Sequence, residues 1–337
     1  MVPVFEDVLL FCPEVKTGGP EAMHQLAHQI VRHGGNAHMV YYAPFSRAEL
    51  DGDILRCHAE ASPMLDHFAQ YRPRVLREAR LGPDTMVIMP EPLSKLASVR
   101  DARYQRGLWW LSLDNAIPQN PGLLDAEYRQ EFFSDGGLTH FYQSDYTRTF
   151  LQSGAAGCYH ALSDYTDLAF IHHSQIASAN RPASERANRI CFFPNKGADL
   201  AVRFIEGRDT LRQPVEFMPI KDLTKTQVRD TLFGARIYID FGHHPGKDRV
   251  PREAAIAGAV VLLHAAGAAR HYLDHPLPAA YRFTDADLVS GALHRKIDTI
   301  LDQIDTHFAA QRLYRDTILH EYERFDLEVR SFFFTGV

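Results

Sequence analysis

Only four cysteines occur in the 337 residues, Cys12, Cys57, Cys158 and Cys191, and no two have the C-x-x-C spacing of a zinc or redox pair. Their scatter indicates neither a disulfide framework nor a zinc site, and at least three of the four fall in apolar runs where a thiol packs as a small hydrophobe. No uncharged apolar run approaches the roughly 20 residues that span a bilayer, so an integral helical membrane protein is excluded. Basic residues are not in excess either. Lys and Arg number 36 against 42 Asp and Glu, a formal net charge of −6, which leaves no general electrostatic footprint for nucleic acid. The chain has no Walker loop, G-x-G-x-x-G fingerprint, internal repeat or heptad run. "DFG" at Asp240 to Gly242 lacks the Gly-rich loop and H-R-D context of a kinase. The 18 histidines read as composition, and no metal is expected. The opening "MVPVFEDVLL" has acids where a secretory signal has bases, which makes a cytoplasmic location the expectation.

What is present has the rhythm of an α/β protein. Hydrophobic content of 45% with 23% charged residues is typical of soluble globular chains, and the length suits two domains. "DVLLFCP" is a short apolar run, followed by the glycine-containing loop "EVKTGGPE". Met23, Leu26, Ala27, Ile30 and Val31 then share one helical face, Gly34 and Gly35 stop the helix, and "NAHMVYYA" reads as a second strand. Such βαβ openings build parallel sheets. "TMVIMPEP", "GLWWLSLDN" and "THFYQSDYTRTFL" recur at crossover spacing, and each ends in the polar cluster that an open parallel sheet presents to ligands. A polar stretch from His172 to Asn188 reads as interdomain region, and the pattern restarts at "NRICFFPNKG". Thr224 and Gln227 have capping-box spacing ahead of a helix, and "RIYIDFG" and "VVLLHA" supply further strands. Leu293, Ile297, Ile300, Leu301 and Ile304 share a face in a helical tail. The expected division is 1–170, 171–310 and a tail at 311–337.

The densest polar cluster is "IDFGHHPGKDRVPREAA". A strand ending in small and charged residues, followed by a helix starting near Pro251, brings backbone N–H groups and a helix dipole to one crevice. Lys247, Arg249 and Arg252 add mobile positive charge, and Glu253 falls in the first helical turn. This suits a ligand with phosphate and hydroxyl groups; a solvated loop, with Glu253 favouring its helix start, explains the same residues. His243 and His244 are adjacent, so at most one faces the crevice. Gly18 and Gly19 either let backbone approach a ligand or make a tight turn. Asn195 and Lys196 follow the second domain's first strand, where a phosphate-binding cation belongs, although a lone Lys there is also an ordinary solvated charge. Asp114, at the end of an apolar strand, suits either proton acceptance from a hydroxyl or a helix cap. Arg103, Tyr104 and Arg106 suit either peripheral membrane contact or plain solvation.

The "GGPE" loop, "FFPNKG", "YIDFGHHPGKDRVPREAAIAGAVVLL", "WWLSLDN", "QSDYTRTFL" and "LSDYTDLAFI" together resemble nucleotide-sugar glycosyltransferases of the GT-B fold, closest to the bacterial surface-polysaccharide type. The resemblance covers nearly the whole chain. It implies two Rossmann-like lobes facing across a cleft, with C-terminal helices crossing back to the first. The second lobe would hold a nucleotide diphosphate-sugar, and a glycan or lipid-linked acceptor would approach from the first. By resemblance Lys196 contacts the diphosphate and Glu253 holds the ribose hydroxyls. Gly18, Gly19, Asn195, His243, His244, Gly246, Lys247, Asp248 and Arg249 complete the implied donor set. One departure stands out: many retaining members carry a second Glu eight residues before the ribose-binding one, and here that position is Pro245. Asp240 or Asp248 is then the substitute, or His244 and the Gly246 backbone contact the sugar. The family offsets the leaving group's charge with basic side chains and a helix N-terminus, so no cofactor beyond the donor is implied. The catalytic candidates are Lys196, His244 and, as general base of an inverting reaction, Asp114. A non-catalytic sugar-nucleotide-binding protein and an epimerase of the same fold are the competing readings. Oligomeric state is left open.

Overall fold

The computed structural model describes residues 1–59, 62–100, 102–180 and 182–336. The chain falls into two compact units, Met1–Tyr165 with Tyr322–Val337, and Thr166–Glu321. No helix among the described residues is long and apolar enough to cross a membrane.

In the first unit β1 (Asp7–Pro13), α1 (Gly18–Arg32) and β2 (Ala37–Tyr42) form the opening βαβ. A small antiparallel sheet follows, β3 (Arg47–Asp51), β4 (Ile54–His58) and β5 (Glu78–Arg80), which the hydrophobic pattern did not reveal. Four of the five residues of β3 are exposed and β5 has three residues, so neither carries a readable alternation. The core strands β6 (Thr85–Pro90), β7 (Gln105–Trp110), β8 (Leu138–Tyr142) and β9 (Tyr159–Ala161) complete a six-stranded parallel sheet, ordered β9-β8-β7-β6-β1-β2. Its order reverses between β1 and β6, so the carboxyl ends of those strands flank the switch point where such sheets bind ligands. Leu9, Leu10, Val40, Ile88, Leu108, Trp109, Trp110 and Phe141 are buried in its core.

The second unit opens with α5, after α2 (Leu113–Gln119), α3 (Ala126–Phe133) and α4 (Asp145–Ser153) of the first. Helix α5 (Leu168–Asn180) occupies much of the stretch expected to be an interdomain region. Its exposed His172 and His173 gave the segment a polar look, whereas Phe170 stacks on Phe233 at 6.0 Å. Then come β10 (Ala187–Phe192), α6 (Ala198–Glu206), β11 (Glu216–Pro219), α7 (Lys225–Gly234), β12 (Ala235–Asp240), α8 (Arg249–Ile256), β13 (Val260–His264) and β14 (Arg282–Phe283). The expected capping box forms at α7: Thr224 N donates to Gln227 Oε1 at 2.9 Å and Gln227 N to Thr224 Oγ1 at 3.3 Å. The strands pair in parallel in the order β11-β10-β12-β13-β14, with the switch point between β10 and β12.

Helices α9 (Ala292–Asp302), α10 (Ile304–Ala310) and α11 (Arg312–Leu319) give Leu293, Ile297, Ile300, Leu301, Ile304, Tyr314 and Ile318 to the second core. In α12 (Glu321–Phe333) the chain leaves that unit after Glu321, and Phe325, Val329 and Phe333 are buried in the first core. The units therefore meet the sequence at Tyr165/Thr166 and Glu321/Tyr322, where the expected boundaries were 170/171 and 310/311.

Candidate functional site

At the switch point of the second unit the loops after β10 and β12 lie against each other because two glycines permit it. Gly197 has φ +68°, and a Cβ there would sit 2.2 Å from the Phe241 carbonyl oxygen; a Cβ on Gly242 would sit 2.4 Å from Lys196 Cβ. The contact sets up a line of polar groups. Lys196 Nζ donates to both oxygens of Asp248, at 2.8 and 2.9 Å. His244 Nδ1 lies 3.1 Å from Asp248 Oδ2, and its Nε2 lies 3.6 Å from Asp240 Oδ1. Asp240 in turn accepts from Gly242 N at 2.9 Å and from the Tyr238 hydroxyl at 2.8 Å.

The His244 ring is fully buried. Burial opposes its charge, but the Asp240 and Asp248 carboxylates outweigh that effect and raise its pKa. Burial likewise works against the Asp248 carboxylate, and His244 and Lys196 overcome it, holding its pKa below the ordinary value. Two carboxylates thus face one ammonium and one imidazole whose protonated form they favour. Asp240, His244 and Asp248 also offer donor atoms within 4.8 Å of one another, a spacing open to a metal ion. The donor set fits one poorly: the carboxylates face opposite nitrogens of a single imidazole, and Asp248 is already committed to Lys196.

Helix α8 begins at Arg249, with Asp248 at the N-cap, two residues earlier than the expected start. Pro251 falls at the third helical position, where a missing N–H breaks no intrahelical bond. Glu253 therefore lies in the second turn, not the first, and is half-buried. Lys247 and Arg252 are not mobile charges. Both are buried and paired with Glu321, Lys247 Nζ with Oε1 at 2.5 Å and Arg252 Nη1 with Oε2 at 2.9 Å. Oε2 also accepts from Thr166 N at 3.0 Å and Thr166 Oγ1 at 3.1 Å. Sequence reasoning missed Glu321, which lies 69 residues from Arg252 with no local pattern pointing to it. Of the remaining donor candidates, Gly246 is buried, Arg249 half-buried, and Asn195 and His243 exposed. His275, also unanticipated, packs its ring 5.6 Å from that of His244. Burial first, then the positive charges of His244, Lys247, Arg252 and Arg282, drive its pKa far down, and its Nδ1 meets the Tyr314 hydroxyl at 2.9 Å.

The other candidates lie in the first unit. Gly18 and Gly19 are the first two residues of α1, not a loop, and their N–H groups have no acceptor within the helix. Asp114 is the second residue of α2 and not a strand end, because β7 stops at Trp110 and Ser112 occupies the N-cap. It does not cap the helix; its Oδ1 accepts from the Tyr146 hydroxyl at 3.2 Å. Glu91, at the carboxyl end of β6, was visible in "TMVIMPEP" but not singled out. It is buried, its Oε2 accepts from Leu111 N at 3.3 Å, and burial pushes its pKa up to about 8. Arg106 is not a surface residue: only 3% exposed, it donates to Ala97 O at 2.8 Å and pairs both guanidinium ends with Asp135 at 3.0 and 3.1 Å. The membrane-contact reading thus loses Arg106, since an inward-facing strand residue with a bidentate partner has no free charge to offer a lipid.

No protein-family model and no curated protein sequence matches the chain. Solved structures do. The chain is similar to sucrose-phosphate synthase from Thermosynechococcus elongatus, with a TM-score of 0.60 at 14% identity over 97% of this chain and 98% of that one. It is similar to Anabaena HepE in complex with UDP, with a TM-score of 0.57 at 12% identity over 97% of each chain. A third likeness, to a trehalose-6-phosphate structure from E. coli bound with UDP-2-fluoro glucose, has a TM-score of 0.56 at 10% identity over 96% of this chain and 99% of that one. These likenesses show the fold: two Rossmann-like units of the GT-B class.

Proposed function

We propose that the protein is a glycosyltransferase that moves a sugar from a nucleoside diphosphate donor to a glycan or lipid-linked acceptor in bacterial surface polysaccharide synthesis. One observation carries this reading: at the switch point of the second unit, Lys196 and the His243–Arg249 loop adjoin the starts of α6 and α8, with Glu253 half-buried one turn further on. Helix N-termini and an ammonium suit a diphosphate, and a half-buried carboxylate suits the vicinal hydroxyls of a ribose. HepE has been solved in complex with UDP and with UDP-glucose, which supports a uridine donor.

In this reading the diphosphate takes over the Lys196 ammonium from Asp248, so negative charge that develops on the leaving group meets a cation already in place. The His244 ring then stays between Asp248 and Asp240, where its protonated form offsets one of their two charges. Basic side chains and helix dipoles offset the leaving group, with no metal step required. Asp114 takes the acceptor's proton if the reaction inverts the anomeric carbon. Pro245, where many retaining enzymes of this fold carry Glu, favours one second reading, a sugar-nucleotide-binding protein without turnover. Incubation with a panel of nucleotide sugars separates the two. Nucleoside diphosphate released only when acceptor is added supports transfer, thermal stabilisation without turnover supports binding alone, and neither effect with any nucleotide sugar removes both readings.

A further inference from the structure

The first unit carries a basic concavity of about 430 Å³ at the end of its sheet opposite the switch point. It lies between the last turn of α1, the first residue of β2 and the segment Tyr71–Arg74. Val31 and Pro73 are apolar parts of its lining, Arg32, Arg72, Arg74 and His28 are its basic side chains, and Tyr71, whose hydroxyl donates to Glu21, also lines it; no carboxylate does. A cavity of this size falls in the range that holds small ligands.

Its positive charge is poorly compensated from within the protein. The Arg72 guanidinium has no ion-pair or hydrogen-bond partner among the described residues, and Arg74 makes one long bond, 3.5 Å, to the Asn36 side-chain oxygen. Arg32 is turned to the Tyr322 hydroxyl and ring. The nearby acids are occupied elsewhere: Asp7 accepts from Asn36, and Asp326 from His33 and Gln29. The carboxyl end of α1 contributes only a partial negative charge, which Arg32 in its last turn offsets. Arg72 has φ +49°, in the left-handed region, where it closes the short turn Ala69–Tyr71.

We propose that this concavity binds a phosphate monoester, with the Arg72 and Arg74 guanidinium groups taking the phosphate oxygens and Val31 and Pro73 taking the carbon skeleton. A planar guanidinium matches phosphate bidentately, and two of them recognise a dianion that the helix carboxyl end alone would repel. The phosphate is carried by a soluble metabolite or by a lipid headgroup, and the site stands whether or not the donor reading of the second unit holds.

The test uses the full chain, glycerol 3-phosphate as soluble probe, and phosphatidylcholine vesicles with and without phosphatidic acid. The double variant Arg72→Gln/Arg74→Gln removes exposed charges and retains the wild-type melting temperature. Calorimetric titration should show glycerol 3-phosphate binding to wild type and to Lys196→Gln with the same Kd, and to the double variant roughly tenfold or more weakly, as expected for the loss of charge-assisted hydrogen bonds. Binding of the soluble ester identifies a free metabolite site. Cosedimentation with the phosphatidic acid vesicles alone, lost in the double variant, identifies a lipid headgroup site. Equal affinity of wild type and double variant for both probes, or binding of neither probe by wild type, overturns the proposal; the single variants Arg72→Gln and Arg74→Gln, each weaker than wild type, confirm that both side chains take part.

Discussion

His244 has no solvent contact, and its charge state is decided by the two aspartates beside it. Its folded pKa is raised above the unfolded value of about 6.5, so the stabilisation it supplies is complete below about pH 6.5 and is lost as pH rises through the raised value. Asp248 has the opposite sign: its lowered pKa stabilises above about pH 3.9 and the contribution is lost as pH falls through the lowered value. Thermal melts followed from about pH 6 to 9 should therefore show wild type losing stability toward the alkaline end and His244→Gln losing that slope; parallel profiles for the two would mean that His244 is neutral in the fold. On the proposed donor site, Glu253→Ala should weaken nucleoside diphosphate binding by about 1–3 kcal/mol, because the ribose hydroxyl would lose its acceptor; titration calorimetry with UDP measures it, and unchanged affinity removes Glu253 from the site. Of these residues, Lys196 was singled out because it follows a strand end, whereas Glu253 was expected in the first helical turn and lies in the second. The partners that set the states of Lys196 and His244 were not legible: Asp248 was named as a donor-set residue and, with Asp240, as a substitute for a missing Glu, but not as the partner of Lys196 or His244, because nothing in a linear pattern reports which side chains share a buried space.

At the scale of elements, the positions that matter most are where two loops or a loop and a helix touch. Gly197 combines a positive φ with a carbonyl 2.2 Å from any added Cβ. Gly197→Ala should cost on the order of 1–3 kcal/mol from backbone conformation alone, and more from the clash, read as a lower urea midpoint together with weaker nucleotide binding. Glu321 ties the α8 segment to the start of the second unit through Lys247, Arg252 and Thr166. Removing one partner of a buried ion pair leaves uncompensated charge, so Glu321→Ala should destabilise the unit by about 3–5 kcal/mol in denaturant unfolding. Strands β1, β6, β10, β12 and β13 were readable because central parallel strands are near-continuous apolar runs, and β2, at the sheet edge, because Met39, Val40 and Tyr41 make a buried run of their own. The β3–β5 sheet and α5 were not, because one is largely exposed and the other shows polar residues on its solvent side.

At the scale of the whole molecule, the chain leaves the first unit at Tyr165 and returns to it at Tyr322, so that unit is closed by residues from both ends of the sequence. Phe325, Val329, Phe333 and Phe334 are buried in its core. Deleting Tyr322–Val337 empties four core positions, each worth about 2–5 kcal/mol for large-to-small losses. Scanning calorimetry of the truncated chain should show the first unit's transition lost while a transition for the second remains; two intact transitions would show that α12 is dispensable. The sequence by itself determined the alternation of strand and helix, the division into two α/β units and the neighbourhood of the polar clusters, because apolar period and glycine or proline punctuation act over a few residues; the GT-B architecture was implied only by resemblance. Tertiary structure alone decided which charges are spent inside the protein and which remain for a ligand. Lys247 and Arg252 looked available and are consumed by Glu321, Arg106 is consumed by Asp135, and the arginines of Tyr71–Arg74 are left over. Pairing of buried charge depends on partners tens to hundreds of residues away, and that distance carries no periodic signal.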